Sequence, residues 1–104
     1  MTGRELVLSR ARDIAVFVSP VRQEIFAAIG LHGPLTATAI ASHLGRATTS
    51  LYHHLAQLVR IGAVEVKRTR REDGKAEQVY AAAVGRVAIC EGAGTNAVQA
   101  RQDA

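Results

Sequence analysis

One cysteine, Cys90, is all the thiol chemistry this 104-residue chain carries. A disulfide within the chain is excluded, and so is any site that needs a pair of thiolates. That usage suits a reducing compartment. Aromatic residues make up 4% of the chain. Its core must therefore rest on Leu, Ile, Val and Ala. Between Ile25 and Gly45 there is no Asp, Glu, Lys or Arg, which raises the question of a membrane span. Gly30, His32, Gly33 and Pro34 interrupt that stretch, so it cannot form one continuous apolar helix. The opening MTGRELVLSRARDIAVF has charges scattered through it and lacks the uninterrupted apolar region of a signal peptide. A soluble, cytoplasmic protein is expected. Catalytic groupings are also missing. There is no G-x-S-x-G, no Cys–His pairing, and no carboxylate pair in an apolar setting; Glu72 and Asp73 are adjacent but belong to a turn. An enzyme is not expected, and no cofactor is implied.

What is present is enough for one small domain. The apolar fraction is 48%, ordinary for a globular chain, and the net charge is +4. The pI of about 10.0 permits a polyanionic partner without saying anything about fold. No internal repeat or low-complexity segment is visible.

Apolar residues at Leu6, Ala11, Ile14 and Val18 recur at helical spacing, which predicts an amphipathic helix over roughly 5–18. Ser19-Pro20 then supplies an N-cap and a favoured first helical residue. The second helix places Val21, Ile25, Ala28 and Ile29 on one face, and Gly30, Gly33 and Pro34 stop it. Thr36 is the next N-cap, and Gly45 ends a helix of about two turns. The connection Gly45-Arg46-Ala47 leads into ATTSLYHHLAQLVRIG, capped by Ala47 or Thr48 and closed by Gly62. Two helices joined by about 3–4 residues containing Gly form a helix-turn-helix pattern. After Gly62 the period changes to two. Val64 and Val66 lead into a charged strand, Asp73-Gly74 marks a two-residue hairpin turn, and Glu77–Tyr80 returns. Residues 63–82 thus read as a β-hairpin. The remaining 83–104 are Ala- and Gly-rich; Asn96–Gln102 could begin a final helix, and the segment reads as the opening of something longer.

In the helix after Ala47, Leu51, Leu55 and Leu58 share one face and anchor it. Thr48, Thr49, Tyr52, His53 and Gln57 point elsewhere, concentrated in the N-terminal half. His53 and His54 are adjacent, so their side chains diverge by about 100° on a helix. A zinc site within one chain is therefore not expected, though one shared between two chains stays open. The hairpin segment KRTRREDGK carries Lys67, Arg68, Arg70, Arg71 and Lys75 against Glu72 and Asp73. A further stretch, VAICEGAGTNA, matches the G-x-G-x-x-A of a dinucleotide fingerprint. That fingerprint needs a complete βαβ unit and an acidic residue about 20 positions on, which this chain does not provide.

The order helix, helix, helix-turn-helix, charged hairpin resembles the winged-helix transcription regulators, and most closely the ArsR-like repressors. SPVRQEIFAAI resembles the opening helix of that family, LTATAIASHLG its first helix-turn-helix helix, and TSLYHHLAQLVRIGAVEV its recognition helix running into the wing. The likeness covers roughly 19–82. It implies an α+β winged helix-turn-helix domain: a three-helix core plus a hairpin wing, with flanking terminal helices. It implies a sequence-specific regulator of transcription on double-stranded DNA, a repressor. Thr48, Thr49, Tyr52, His53 and Gln57 would meet base edges or phosphates in the major groove. Lys67, Arg68, Arg70, Arg71 and Lys75 would meet phosphates from the wing, with Arg46 a further phosphate contact. Metal sensing through paired cysteines on the first helix-turn-helix helix, known for some ArsR-like proteins, finds no cysteine in TATAIASHLG. The resemblance also implies a homodimer joined through terminal helices. The apolar surface of Leu6, Leu8, Ala11, Ile14, Ala15, Phe17 and Val18, with Val87, Ile89 and Val98 in the tail, agrees with that. Winged helices also serve as protein–protein docking modules, so an interaction module that binds no DNA is the rival reading. The effector is not legible.

Overall fold

In a computed structural model, the chain is described over residues 4–72 and 74–90; of Arg70, Glu72 and Lys75 only the backbone is described. Among the described residues ten elements follow one another: β1 (Glu5–Leu8), α1 (Ala11–Phe17), α2 (Pro20–His32), β2 (Leu35–Thr36), α3 (Ala37–Leu44), a 3-10 turn (Thr48–Ser50), α4 (Tyr52–Ile61), β3 (Val64–Glu72), β4 (Lys75–Ala82) and β5 (Arg86–Ile89).

The capping chemistry places the middle helices as expected. Ser19 Oγ accepts from the Arg22 amide, and Pro20 opens α2. Thr36 Oγ1 accepts from the Ala39 amide at 3.1 Å and starts α3. Gly45 and Gly62 end α3 and α4 in the left-handed region, at φ 68° and 90°, where a side chain would be strained. Gly30 does not stop α2, which runs on to His32. The wing forms at its expected place. β2, β4 and β3 make a three-stranded antiparallel sheet in the order β2-β4-β3, and Gly74 takes φ 77° in the turn.

The N-terminal helix expected over 5–18 does not form as one element. Glu5–Leu8 is a strand, and only Ala11–Phe17 is helical. The strand pairs in parallel with β5, Leu6 opposite Val87 and Leu8 opposite Ile89. Its side chains alternate accordingly: Leu8 is buried and Val7 stands out at 55% exposure. The tail is corrected in the same stroke, since 86–89 is the partner strand. The Gly85 amide donates to the Arg4 carbonyl at 2.7 Å and the Cys90 amide to the Leu8 carbonyl at 2.9 Å, framing the ladder at both ends. The helix considered for Asn96–Gln102 lies outside the described residues.

The core gathers Ile25 and Ile29 of α2, Ile40 of α3, Leu51, Leu55 and Leu58 around α4, and Val64 of β3. All seven side chains are 1% exposed or less. Leu6, Ile14 and Phe17 pack against that cluster, and the Phe17 ring meets Phe26 edge-on at 5.5 Å. Much of the apolar surface counted toward a subunit interface is therefore spent inside the chain. No single described helix is long and apolar enough to cross a membrane; α1 and α2 reach that length only together, and they bend by 67° between them.

Candidate nucleic-acid interface

The leucine spacing decides which way α4 faces. Leu51, Leu55 and Leu58 are fully buried, which turns Tyr52 and His53 outward; Tyr52 is half exposed. The residues before them are not helical. Thr48, Thr49 and Ser50 form the 3-10 turn, in which Ser50 Oγ donates to the Ala47 carbonyl at 2.7 Å. Thr49 is exposed and Thr48 half-buried, so the hydroxyls stand on the approach to α4 and not on the helix itself. Gln57 is partly buried one turn on, and its Oε1 accepts from Arg60 Nε at 3.2 Å.

The wing is fixed to this surface by two connections. β2 pairs with β4, Leu35 opposite Tyr80 and Thr36 opposite Val79, immediately before α3 begins. Thr38 Oγ1, in the first turn of α3, donates to Glu77 Oε2 of β4 at 2.9 Å. Tyr52 of α4 then shares one open cleft of about 420 Å³ with Thr69 of β3 and Gln78 and Tyr80 of β4. Tyr80 is buried; its hydroxyl donates to Gln78 Oε1 at 2.9 Å, and burial, then the neighbouring Tyr52, holds its pKa above the ordinary phenol value. Tyr80 thus enters the cleft as a neutral hydroxyl.

The basic residues do not all face this cleft. Thr69 is opposite Gln78 and Arg71 opposite Ala76, so Arg71 lies on the cleft face by the alternation of the strands. Arg68, opposite Val79, is on the other face. A bulge between Val66 and Arg68 absorbs Lys67. Lys67 lines a separate groove with Glu65, Phe26 and Gly30, and its Nζ lies 3.9 Å from Glu65 Oε2. The five basic positions are strung along β3 and into the start of β4. Of Arg70 and Lys75 only the strand positions are described, opposite Glu77 and Glu72. Arg46, in the connection before the 3-10 turn, is exposed and paired with Glu24 of α2 at 3.3 Å.

Two histidine features escaped the sequence reading. His32 and His43, eleven residues apart and in the last turns of α2 and α3, stack at 4.0 Å with rings 10° from parallel. His54 is half-buried with its Nδ1 shielded from solvent and unpaired. Its place beside the leucine face was visible in the spacing, but its neighbours on α2 were not. The His53 and His54 rings stand 5.7 Å apart and 59° from parallel. Among the described residues, no three His, Cys, Asp or Glu side chains gather closely enough to hold a metal ion.

Residues 17–67 match a family model described as a helix-turn-helix domain. No curated protein matches the chain. Among solved structures it is similar to the homodimeric winged helix-turn-helix DNA-binding domain (fragment 1–100) of Mb0332 from Mycobacterium bovis, described as a possible ArsR-family transcriptional regulator. The identity is 29% and the TM-score 0.56, over 70% of this chain and 62% of that one. It is also similar to HlyU from Vibrio cholerae, at 26% identity and a TM-score of 0.52, over 67% of this chain and 70% of that one. Disulfide-formed AbfR shares the fold at 17% identity and a TM-score of 0.55, over 68% of this chain and 48% of AbfR. The chain therefore spans about half the length of AbfR and less than two thirds of the Mb0332 fragment.

Proposed function

We propose that this chain is a winged helix-turn-helix transcription regulator of the ArsR-like kind, a cytoplasmic repressor that binds a specific double-stranded DNA site as a homodimer. The observation that carries this reading is the division of α4. Its leucines are wholly withdrawn into the core, and its N-terminal half offers Tyr52 and His53 to solvent beside a wing that is fastened to the same surface.

In the proposed complex the start of α4 enters the major groove. Tyr52 and His53 reach base edges; Thr48 and Thr49, on the 3-10 turn, reach the sugar–phosphate rim, with Gln57 one turn deeper. Arg71 follows the backbone from the cleft side of the wing, Arg68 from its other face, and Arg70 and Lys75 add charge near the turn. Arg46 reaches a phosphate by exchanging Glu24 for it. Lys67 contributes mainly long-range attraction. Specificity comes from α4, and most of the affinity comes from release of counterions at the phosphates.

The homodimer is supported by what α1 and β1 leave uncovered. Val7 and Val18 are about half exposed although their neighbours are in the core. A two-fold dimer sets two α4 helices one DNA turn apart, about 34 Å, and prefers an inverted repeat.

Selection of bound sequences from a random duplex pool, followed by titrations across a salt series, tests the reading. Enrichment of an inverted repeat with a steep fall in affinity with salt is expected. Failure to retain any duplex at low salt overturns it and leaves a protein-docking module. Sedimentation equilibrium at micromolar concentration tests the dimer, and a monomer unchanged by a two-half-site duplex overturns that part.

A further inference from the structure

A second open groove, of about 1020 Å³, lies where α2, the start of β3 and the end of β4 come together. It shares no lining residue with the cleft of Tyr52, Thr69 and Gln78. Its volume matches the upper end of the roughly 300–1,000 Å³ that holds a small organic molecule.

The lining is mostly apolar. Phe26, Ile29 and Pro34 come from α2 and the turn after it, and residues 81–84 from the end of β4 and the connection beyond. Where α2 passes the groove it carries Gly30, and a Cβ added there would meet nothing within 4 Å. Glycine is a poor helix former, so what it gives α2 at this point is space.

The charged residues of the groove are Arg4, Lys67 and Glu65. Two cations and one carboxylate leave one positive charge uncompensated. Lys67 Nζ lies 3.9 Å from Glu65 Oε2, and both side chains are at least half exposed, so that pair is loose. Arg4 has no such neighbour. Its carbonyl accepts from the Gly85 amide at 2.7 Å, which holds its backbone beside the groove. Its guanidinium has no hydrogen-bond or ion-pair partner among the described residues. A free guanidinium presents paired N–H donors that match the two oxygens of a carboxylate.

We propose that this groove binds a small amphipathic organic monoanion, a carboxylate with an apolar body. Arg4 takes the carboxylate, the body lies against Phe26, Ile29 and Pro34 beside Gly30, and Lys67 adds attraction from β3. A single negative charge balances the groove. A multiply charged, wholly polar ligand such as a free phosphate finds nothing on the apolar lining to bond. The site goes beyond the DNA-binding reading and does not rest on it.

The test follows backbone amide shifts of the full chain by NMR at about pH 7 while octanoate, octanol or octylammonium is added. The three probes share one tail and carry an anionic, a neutral and a cationic head. Gly30, Gly33 and Gly85 line the groove and serve as reporters, and Gly74 in the wing turn is the control. Octanoate should shift the three reporters and leave Gly74 in place. Octanol should need about tenfold more to do the same, the worth of a charge-assisted hydrogen bond, and octylammonium should need more still. Arg4→Gln should weaken octanoate by about tenfold and leave octanol unchanged. Gly30→Leu, which fills the space beside α2 without backbone strain, should abolish the octanoate shifts at Gly33 and Gly85.

Equal binding of octanoate and octanol, an octanoate affinity untouched by Arg4→Gln, or shifts that survive Gly30→Leu each overturn the proposal. So does the absence of any octanoate shift at the reporters. Reporter shifts that grow with protein concentration and no probe present would assign the groove to a second copy, and would overturn it as well. If Gly30→Leu fails to fold, the head-group series and Arg4→Gln decide. No duplex is present in any arm, so failure here leaves the DNA-binding reading standing.

Discussion

Two stretches of this molecule lay one side chain set into the core and turn the other to solvent, and they differ in what they turn outward. Leu51 and α4 bury leucines and present Tyr52 and His53. β1 and α1 bury Leu8 and Val16 and present Val7 and Val18. A polar outward face stays in water without cost, and it can exchange its water for base edges or phosphates. An apolar outward face has no such use; in the proposed homodimer Val7 and Val18 belong to the surface that a second copy covers. Under the proposed function, buried sides that are chemically alike would support two different kinds of recognition.

The largest effects should come from the buried sides, and they test whether the two stretches are anchored alike. Leu55→Ala should cost about 2–5 kcal/mol in denaturant unfolding, the range for an interior leucine. Leu8→Ala should fall in the same range, because Leu8 is only 3% exposed and joins the same cluster. Val7→Thr should stay within about 0.5 kcal/mol as a surface change. A Val7 effect equal to that of Leu8 would break the alternation that makes β1 a strand.

That alternation explains what could be read in advance. α4 was legible because leucines at i, i+4 and i+7 close on Gly62, with every determinant inside sixteen residues. Ser19-Pro20, Thr36 and Gly45 were legible for the same local reason. The stretch ELVLSRARDIAVF fits helical spacing if Leu6 is counted with Ile14, and a short strand if the consecutive apolar residues Leu6, Val7 and Leu8 are counted alone. What decides it is β5, about eighty residues away in sequence, and no local period reports so distant a partner. The outward position of Tyr52 and His53 followed from the leucines alone. The loss of Thr48 and Thr49 from the helix did not, since their hydroxyls suit an N-cap and a 3-10 turn equally. Nor did the separation of Lys67 from Arg71, which depends on one bulge in β3.

The outward face of α4 gives the next effects in size. Tyr52→Ala and His53→Ala should each weaken specific DNA binding by about 1–3 kcal/mol while leaving the unfolding midpoint nearly unchanged. Equal losses on specific and random duplexes would move both residues from base reading to backbone contact. Within the wing the expected contrast is between faces. Arg71→Ala should flatten the dependence of affinity on salt by about one unit of slope for a lost phosphate contact. Lys67→Ala should flatten it less, because Lys67 lines the other groove beside Glu65.

The smallest expected effect joins the two stretches directly. Arg60 of α4 reaches Asp13 of α1, Nη1 to Oδ1, at 3.3 Å, with the two side chains 46% and 21% exposed. Arg60 also donates from Nε to Gln57, so its position does not depend on Asp13 alone. Exposed pairs of this kind contribute about 0–1 kcal/mol, because solvent screens them and two side chains must be ordered. A double-mutant cycle of Arg60→Ala and Asp13→Ala, read by denaturant unfolding, should therefore give a coupling below about 1 kcal/mol. The sign of its salt dependence sharpens the result. Screening by added salt should shrink the coupling toward zero. A coupling well above that range, or one unmoved by salt, would mean that α1 is held to α4 chiefly by this charge pair. The apolar contacts of Ile14 and Phe17 would then be secondary, and the N-terminal stretch could not be anchored in the way the leucines anchor α4.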